Sequence, residues 1–108
     1  MPNSDVIERE RRKLADLFKD VEPAKAELVS GLIDDAAFLY AENQQLRELM
    51  MSTGMVKVHP QYPEVQKPTE AAKQYLRNLN SYAVVIKALN SVLSKNVLDP
   101  DDGMDEFE

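Results

Sequence analysis

Four cations crowd into six residues near the N-terminus, where ERERRK from Glu8 to Lys13 supplies Arg9, Arg11, Arg12 and Lys13. Closely placed cations can track the phosphates of a nucleic acid, releasing counterions as they bind. Glu8 and Glu10 interrupt the run, and the same residues also read as a solvated helix face with pairs such as Glu8 and Arg12. Lys57 and the chain's one histidine, His59, add a second basic spot. His59 has no Cys, Asp or second His at metal-ligand spacing and no evident nucleophile beside it, so phosphate contact or a structural role is expected of it. Asp34 and Asp35 are adjacent, which on a helix turns them about 100° apart and makes a poor acid/base pair. The glycines, Gly31, Gly54 and Gly103, are too sparse for a phosphate-cradling loop. Tyr75 and Tyr82 lie seven residues apart on one helical face, a spacing that suits core packing and also a base-stacking platform. No catalytic residue, metal, cofactor or small-molecule substrate is expected.

Two long helices must position these groups. From Pro23 to Thr53, Val29, Leu32, Ala36, Leu39, Asn43, Leu46 and Met50 recur at alternating steps of three and four, the spacing of a coiled-coil seam. Leu28, Ile33, Tyr40 and Leu49 widen that seam into a stripe. From Thr69 to Lys95 the pattern repeats at Ala72, Tyr75, Leu79, Tyr82, Ile86, Leu89 and Leu93. Thirty residues make a rod of roughly 45 Å, so the second helix is expected to fold back along the first. The fold expected is all-α: an N-terminal helix within 1–22, a long antiparallel helical hairpin over 23–95 and an acidic tail over 96–108. Pro23 and Pro68 suit first helical turns, Asn3 or Ser4 suits an N-cap, Gly54 suits a left-handed C-cap and Asn96 suits the last C-cap. The connecting loop, 54–68, holds three prolines and cannot be helical through its middle. Met55, Val56 and Val58 are expected to be extended there, with Tyr62 and Val65 docked on the helices. Asn43 reads either as a buried seam residue fixing register or oligomer number or as an edge residue facing water.

Net charge is -6, and all of it lies in the last ten residues: Asp99, Asp101, Asp102, Asp105, Glu106 and Glu108 face no base there, leaving residues 1–98 neutral in sum. That tail is expected to be disordered, with Met104 and Phe107 as its partner-docking residues. The first long helix is acidic and the segment after it basic, so the chain can pair with itself or show different faces to different partners. Two long helices and a short one leave apolar stripe uncovered, which calls for self-association through Leu32, Leu39, Asn43, Leu46, Tyr82, Ile86 and Leu89. No run of eighteen apolar residues and no signal-peptide core is present, so a cytoplasmic protein without a membrane span is expected.

The run GLIDDAAFLYAENQQLRELMMSTG, followed by MVKVHPQYPEVQKP and AAKQYLRNLNSYAVVIKALNSVL, resembles small terminase subunits of tailed bacteriophages infecting Gram-positive bacteria. In that family a G-L-I-[DE]-[DN]-A-A-F helix leads through a variable loop to a K-x-Y-x-x-x-I-K-x-L helix. The matching pieces are Gly31 to Phe38, and Asn80 to Leu89 with Tyr82, Ile86, Lys87 and Leu89 at shared positions. The resemblance implies a non-enzymatic viral genome packaging protein in the host bacterial cytoplasm. It would bind phage double-stranded DNA as a homo-oligomer, with a ring as the expected form, and deliver that DNA to the large ATPase/nuclease terminase subunit, which it regulates. Many family members open with a helix-turn-helix domain, for which the residues before Pro23 leave no room. DNA contacts are therefore expected at Arg9, Arg11, Arg12, Lys13, Lys57 and His59. The alternative is a helical adaptor or scaffold that binds protein and no DNA.

Overall fold

The computed structural model describes residues 3–97, the side chains through Ser94. The acidic tail and its Met104 and Phe107 lie outside the described residues. Among those described, three helices account for most of the chain: α1 (Ser4–Leu17), α2 (Pro23–Thr53) and α3 (Glu70–Val97). Between α2 and α3 stands a two-stranded antiparallel ribbon of β1 (Val56–Val58) and β2 (Gln66–Pro68). No helix among the described residues is long and apolar enough to cross a membrane.

Each boundary has a local cause. The Asn3 side-chain oxygen accepts from the Asp5 and Val6 amides at 2.8 and 3.4 Å, satisfying donors that a helix start leaves unpaired. After α1 the Phe18 carbonyl accepts from the Val21 amide at 3.1 Å, closing a turn that feeds into Pro23, at the start of α2. Gly54 ends α2, donating its amide to the Met50 carbonyl at 2.8 Å. Its φ of 76° and ψ of 173° differ from the left-handed cap expected: this is an extended positive-φ conformation, reserved almost wholly for glycine.

The connecting segment departs from the all-α expectation. Val56 pairs with Pro68, Lys57 with Lys67 and Val58 with Gln66. Pro68 therefore closes β2 instead of opening α3, a position at a strand end where its missing N–H costs little. The cap of α3 is Thr69, whose hydroxyl accepts from the Ala72 amide at 3.2 Å and donates to the Gly54 carbonyl at 3.0 Å. The Thr69 amide also donates to the Met55 carbonyl at 2.9 Å, so the start of α3 is fastened to the end of α2. Tyr62 and Val65 do not dock on the helices. Both are exposed, and the Tyr62 ring instead sits 5.0 Å from that of His59. At its far end α3 continues to Val97, which places Asn96 within the helix rather than at its cap.

Leu14 and Phe18 of the α1 segment, Val29, Ile33 and Ala36 of α2, and Leu89 of α3 form the buried core. The seam divides by depth, with Val29, Ala36 and Asn43 buried and the leucines between them shallower. Leu89 is buried, but Leu32, Leu39, Leu46 and Ile86 are only half-buried, and Ile33, Ala37 and Ala41 are deeper. The reason is that α2 serves two partners. One stripe meets α3, while α1 lies over the neighbouring arc, its Leu14 and the following Phe18 clustering with Val29 and Ile33 and its Arg11 reaching Asp34, so the deepest arc is drawn from the seam toward α1. Alanines at 36, 37 and 41 let neighbouring helices approach closely. The resulting slab has Cα extents of 61 × 39 × 16 Å. Leu28, Phe38, Leu49 and Met51 of α2 and Leu76, Leu79 and Val84 of α3 stay exposed on it.

Candidate nucleic-acid interface

Helical geometry brings Arg9, Arg12, Lys13 and Asp16 around one shallow hollow on the outer side of α1. Arg11 points elsewhere. The strip is largely ion-paired: one Glu8 oxygen meets Arg11 at 2.9 Å and the other lies 3.7 Å from Arg12. Arg11 Nε also lies 3.4 Å from Asp34, and Lys13 lies 3.5 Å from Glu10, whose carboxylate is buried. Arg9 forms no ion pair among the described residues; it lines a cleft of about 310 Å³ between α1 and α2 with Asn3, Val6, Ala41, Gln44, Gln45 and Glu48. Exposed pairs of this kind contribute only about 0–1 kcal/mol. A phosphate can therefore compete for Arg11 and Arg12, whereas Lys13 sits against a buried acid.

The ribbon holds its cations differently. Lys57 and Lys67 are directly opposite in register and so share a face, and His59, two residues on from Lys57, joins them. With Val58, Pro60 and Val65 these three residues line a hollow of about 300 Å³. Neither lysine forms an ion pair among the described residues. The His59 amide donates to the Val65 carbonyl at 2.9 Å, continuing the ladder past the strands. Its ring nitrogen Nδ1 accepts from the amides of Gln61 and Tyr62 at 3.0 and 3.2 Å. An accepting Nδ1 carries no proton, which leaves the proton on Nε2, on the far side of the ring. Lys67 was absent from the residues singled out in sequence. The signal that points to it is register, since only the pairing of β1 with β2 sets it against Lys57.

No protein-family model, curated protein or solved structure matches this chain.

The residues expected at an oligomer interface divide into two groups. Asn43 and Leu89 are buried, and Tyr82 is half-buried against the core. Asn43 is 3% exposed and its Oδ1 has no hydrogen-bond partner among the described residues, so it belongs to the interior of the single chain and not to its edge. Tyr82 sits where the three helices meet: burial raises its pKa above the usual 10.0, the Glu10 carboxylate raises it further, Lys13 opposes and Tyr40 adds. That placement takes Tyr82 away from base stacking. Leu32, Leu39, Leu46 and Ile86 are half-buried and remain partly accessible. Asp34 and Asp35 diverge as helical neighbours must, Asp34 turning to Arg11. Among the described residues no three His, Cys, Asp or Glu side chains gather as a metal site.

Proposed function

We propose that this chain is a non-enzymatic DNA-packaging protein of the small terminase kind. In this reading α2 and α3 form a helical hairpin that self-associates, and the homo-oligomer binds viral double-stranded DNA and passes it to the large ATPase/nuclease subunit in the bacterial cytoplasm. The family assignment rests on the resemblance in Gly31 to Phe38 and Asn80 to Leu89. The structural observation supporting DNA contact is the exposed ribbon face on which Lys57 and Lys67 stand opposite each other without an acidic partner among the described residues. Like charges placed so are unfavourable in isolation, and an anionic partner removes the repulsion. Self-association is supported by the exposed Leu28, Phe38 and Leu49 on a slab whose Cα atoms are 16 Å deep.

One observation favours the second reading, a helical adaptor that binds protein only: Arg11, Arg12 and Lys13 are all ion-paired within the chain. Fluorescence anisotropy with a short duplex, run over a salt series beside light scattering, separates the two. Packaging requires an oligomer whose DNA affinity falls steeply with salt. An oligomer with no DNA affinity at low salt supports the adaptor. A monomer at micromolar concentration removes the self-association part of both, and replacing Phe38 and Leu49 by Ser should produce one without loss of helicity.

A further inference from the structure

Three donors converge at the ribbon, held there in two ways. Lys57 and Lys67 are opposed by the β1–β2 register. His59 is fixed through its own turn, because two backbone amides engage Nδ1 at 3.0 and 3.2 Å. That arrangement sets the tautomer without any acid, and it commits Nε2 to donate outward. The apolar side chains of Val58, Pro60 and Val65 line the same exposed hollow of about 300 Å³. Glu64, the one acid between Gly54 and Thr69 in the sequence, is not part of that lining. Two cations and a neutral N–H donor around a small hollow match an oxyanion with several acceptor oxygens.

We infer that Lys57, His59 and Lys67 form a phosphate-binding site whose ligand is a phosphodiester of duplex DNA, so that the ribbon, more than α1, is the element that grips the backbone. This rests on the DNA-binding reading above. A two-stranded ribbon is narrow enough to enter a major groove, and the two lysines stand on one face of it. The lysines neutralise phosphate and release counterions. The neutral His59 Nε2–H adds a directed hydrogen bond without releasing any.

That division of labour gives the test. The full-length protein, labelled with ¹⁵N, is titrated with inorganic phosphate and separately with a 20-base-pair duplex, and duplex affinity is measured over a salt series. Phosphate should shift the amides of residues 57–59 and 65–67, and a long-range nitrogen spectrum should show His59 protonated on Nε2. Lys57→Gln with Lys67→Gln should flatten the log–log salt slope by about 0.9 for each phosphate the pair neutralises. His59→Asn retains a side-chain oxygen able to accept from the turn amides, so it keeps the ribbon while removing Nε2–H. It should weaken duplex binding roughly tenfold with the slope unchanged. Duplex binding of unaltered affinity and slope in both variants overturns the ribbon site and leaves the DNA reading standing. Ribbon shifts with inorganic phosphate, but no duplex binding by the unaltered protein, keep the site for a free anion and overturn the DNA reading. A His59 protonated on Nδ1 in the free protein removes the donor geometry outright.

Discussion

Arg11 of α1 reaches Asp34 of α2 at 3.4 Å, the one ion pair among the described residues that joins two helices. Both side chains are about half exposed, so water screens the pair and its contribution to stability is at most about 1 kcal/mol. Its larger consequence is for binding, because it holds a guanidinium that a phosphate would otherwise recruit. Asp34→Asn should leave urea unfolding nearly unchanged while strengthening duplex binding at low salt. A loss of several kcal/mol on urea titration would show that the pair anchors α1.

Asn43 carries the opposite kind of cost. A buried acceptor without a partner costs about 1–3 kcal/mol, and Oδ1 of Asn43 is such an acceptor. Replacing it by Leu, which has the same branching and number of side-chain heavy atoms but is larger, should raise the free energy of unfolding by roughly 1 kcal/mol where the surrounding side chains make room. A destabilised Asn43→Leu protein would mean that the amide makes a contact worth more than its burial costs, as an Asn that specifies register does.

At the end of α2, Gly54 holds a backbone conformation that side chains resist, with φ of 76° and ψ of 173°. Space is not the obstacle, since a Cβ there would meet only the Val56 carbonyl at 3.8 Å. Gly54→Ala should therefore cost about 1–3 kcal/mol through strain alone. The ribbon and the Thr69 cap both depend on this turn, so amide exchange should quicken first at Val56 to Ala72. Equal exchange rates in the two proteins would contradict that dependence.

Tyr82 gives the fold an alkaline limit. Its phenol pKa is raised, chiefly by burial and then by Glu10, so near pH 10 the unfolded chain has begun to lose a proton that the folded chain keeps. The unfolded state then binds fewer protons, and stability must fall as pH rises above about 10. Tyr82→Phe should remove part of that fall, together with the latest-titrating component of phenolate absorbance. Identical pH profiles for the two proteins would assign the loss to other groups.

The three helices were legible because their apolar residues repeat at helical spacing and because Pro23 and Gly54 mark the ends of α2. Of the ribbon, the extended piece at Val56–Val58 was legible, but its pairing with Gln66–Pro68 was not, since three residues are too few for alternation to declare itself and Pro68 fits a helix start as well as a strand end. Depth within the seam was legible in part. Val29, Ala36 and Asn43 are buried, Leu32, Leu39 and Leu46 stay half-buried in the single chain, and α1 bears on the neighbouring arc and puts Ile33 and Ala41 deeper. Of the site, Arg9 to Lys13, Lys57 and His59 could be named from charge and composition. Their ion pairs, and the place of Lys67, depend on which strand lies beside which.

The two basic surfaces are held apart by a continuous helix. Arg11 meets α2 at Asp34 and the ribbon begins just past Gly54, so about twenty residues of helix set an axial separation of roughly 30 Å. Helical phase therefore governs their relative aim as well as their distance. One residue inserted into α2 would turn the ribbon by about 100° relative to α1 while advancing it only about 1.5 Å. Seven residues added to both α2 and α3 would lengthen the slab by about 10.5 Å and restore the aim to within about 20°. Within a lineage of such proteins, length changes between the two basic surfaces should come in paired heptads.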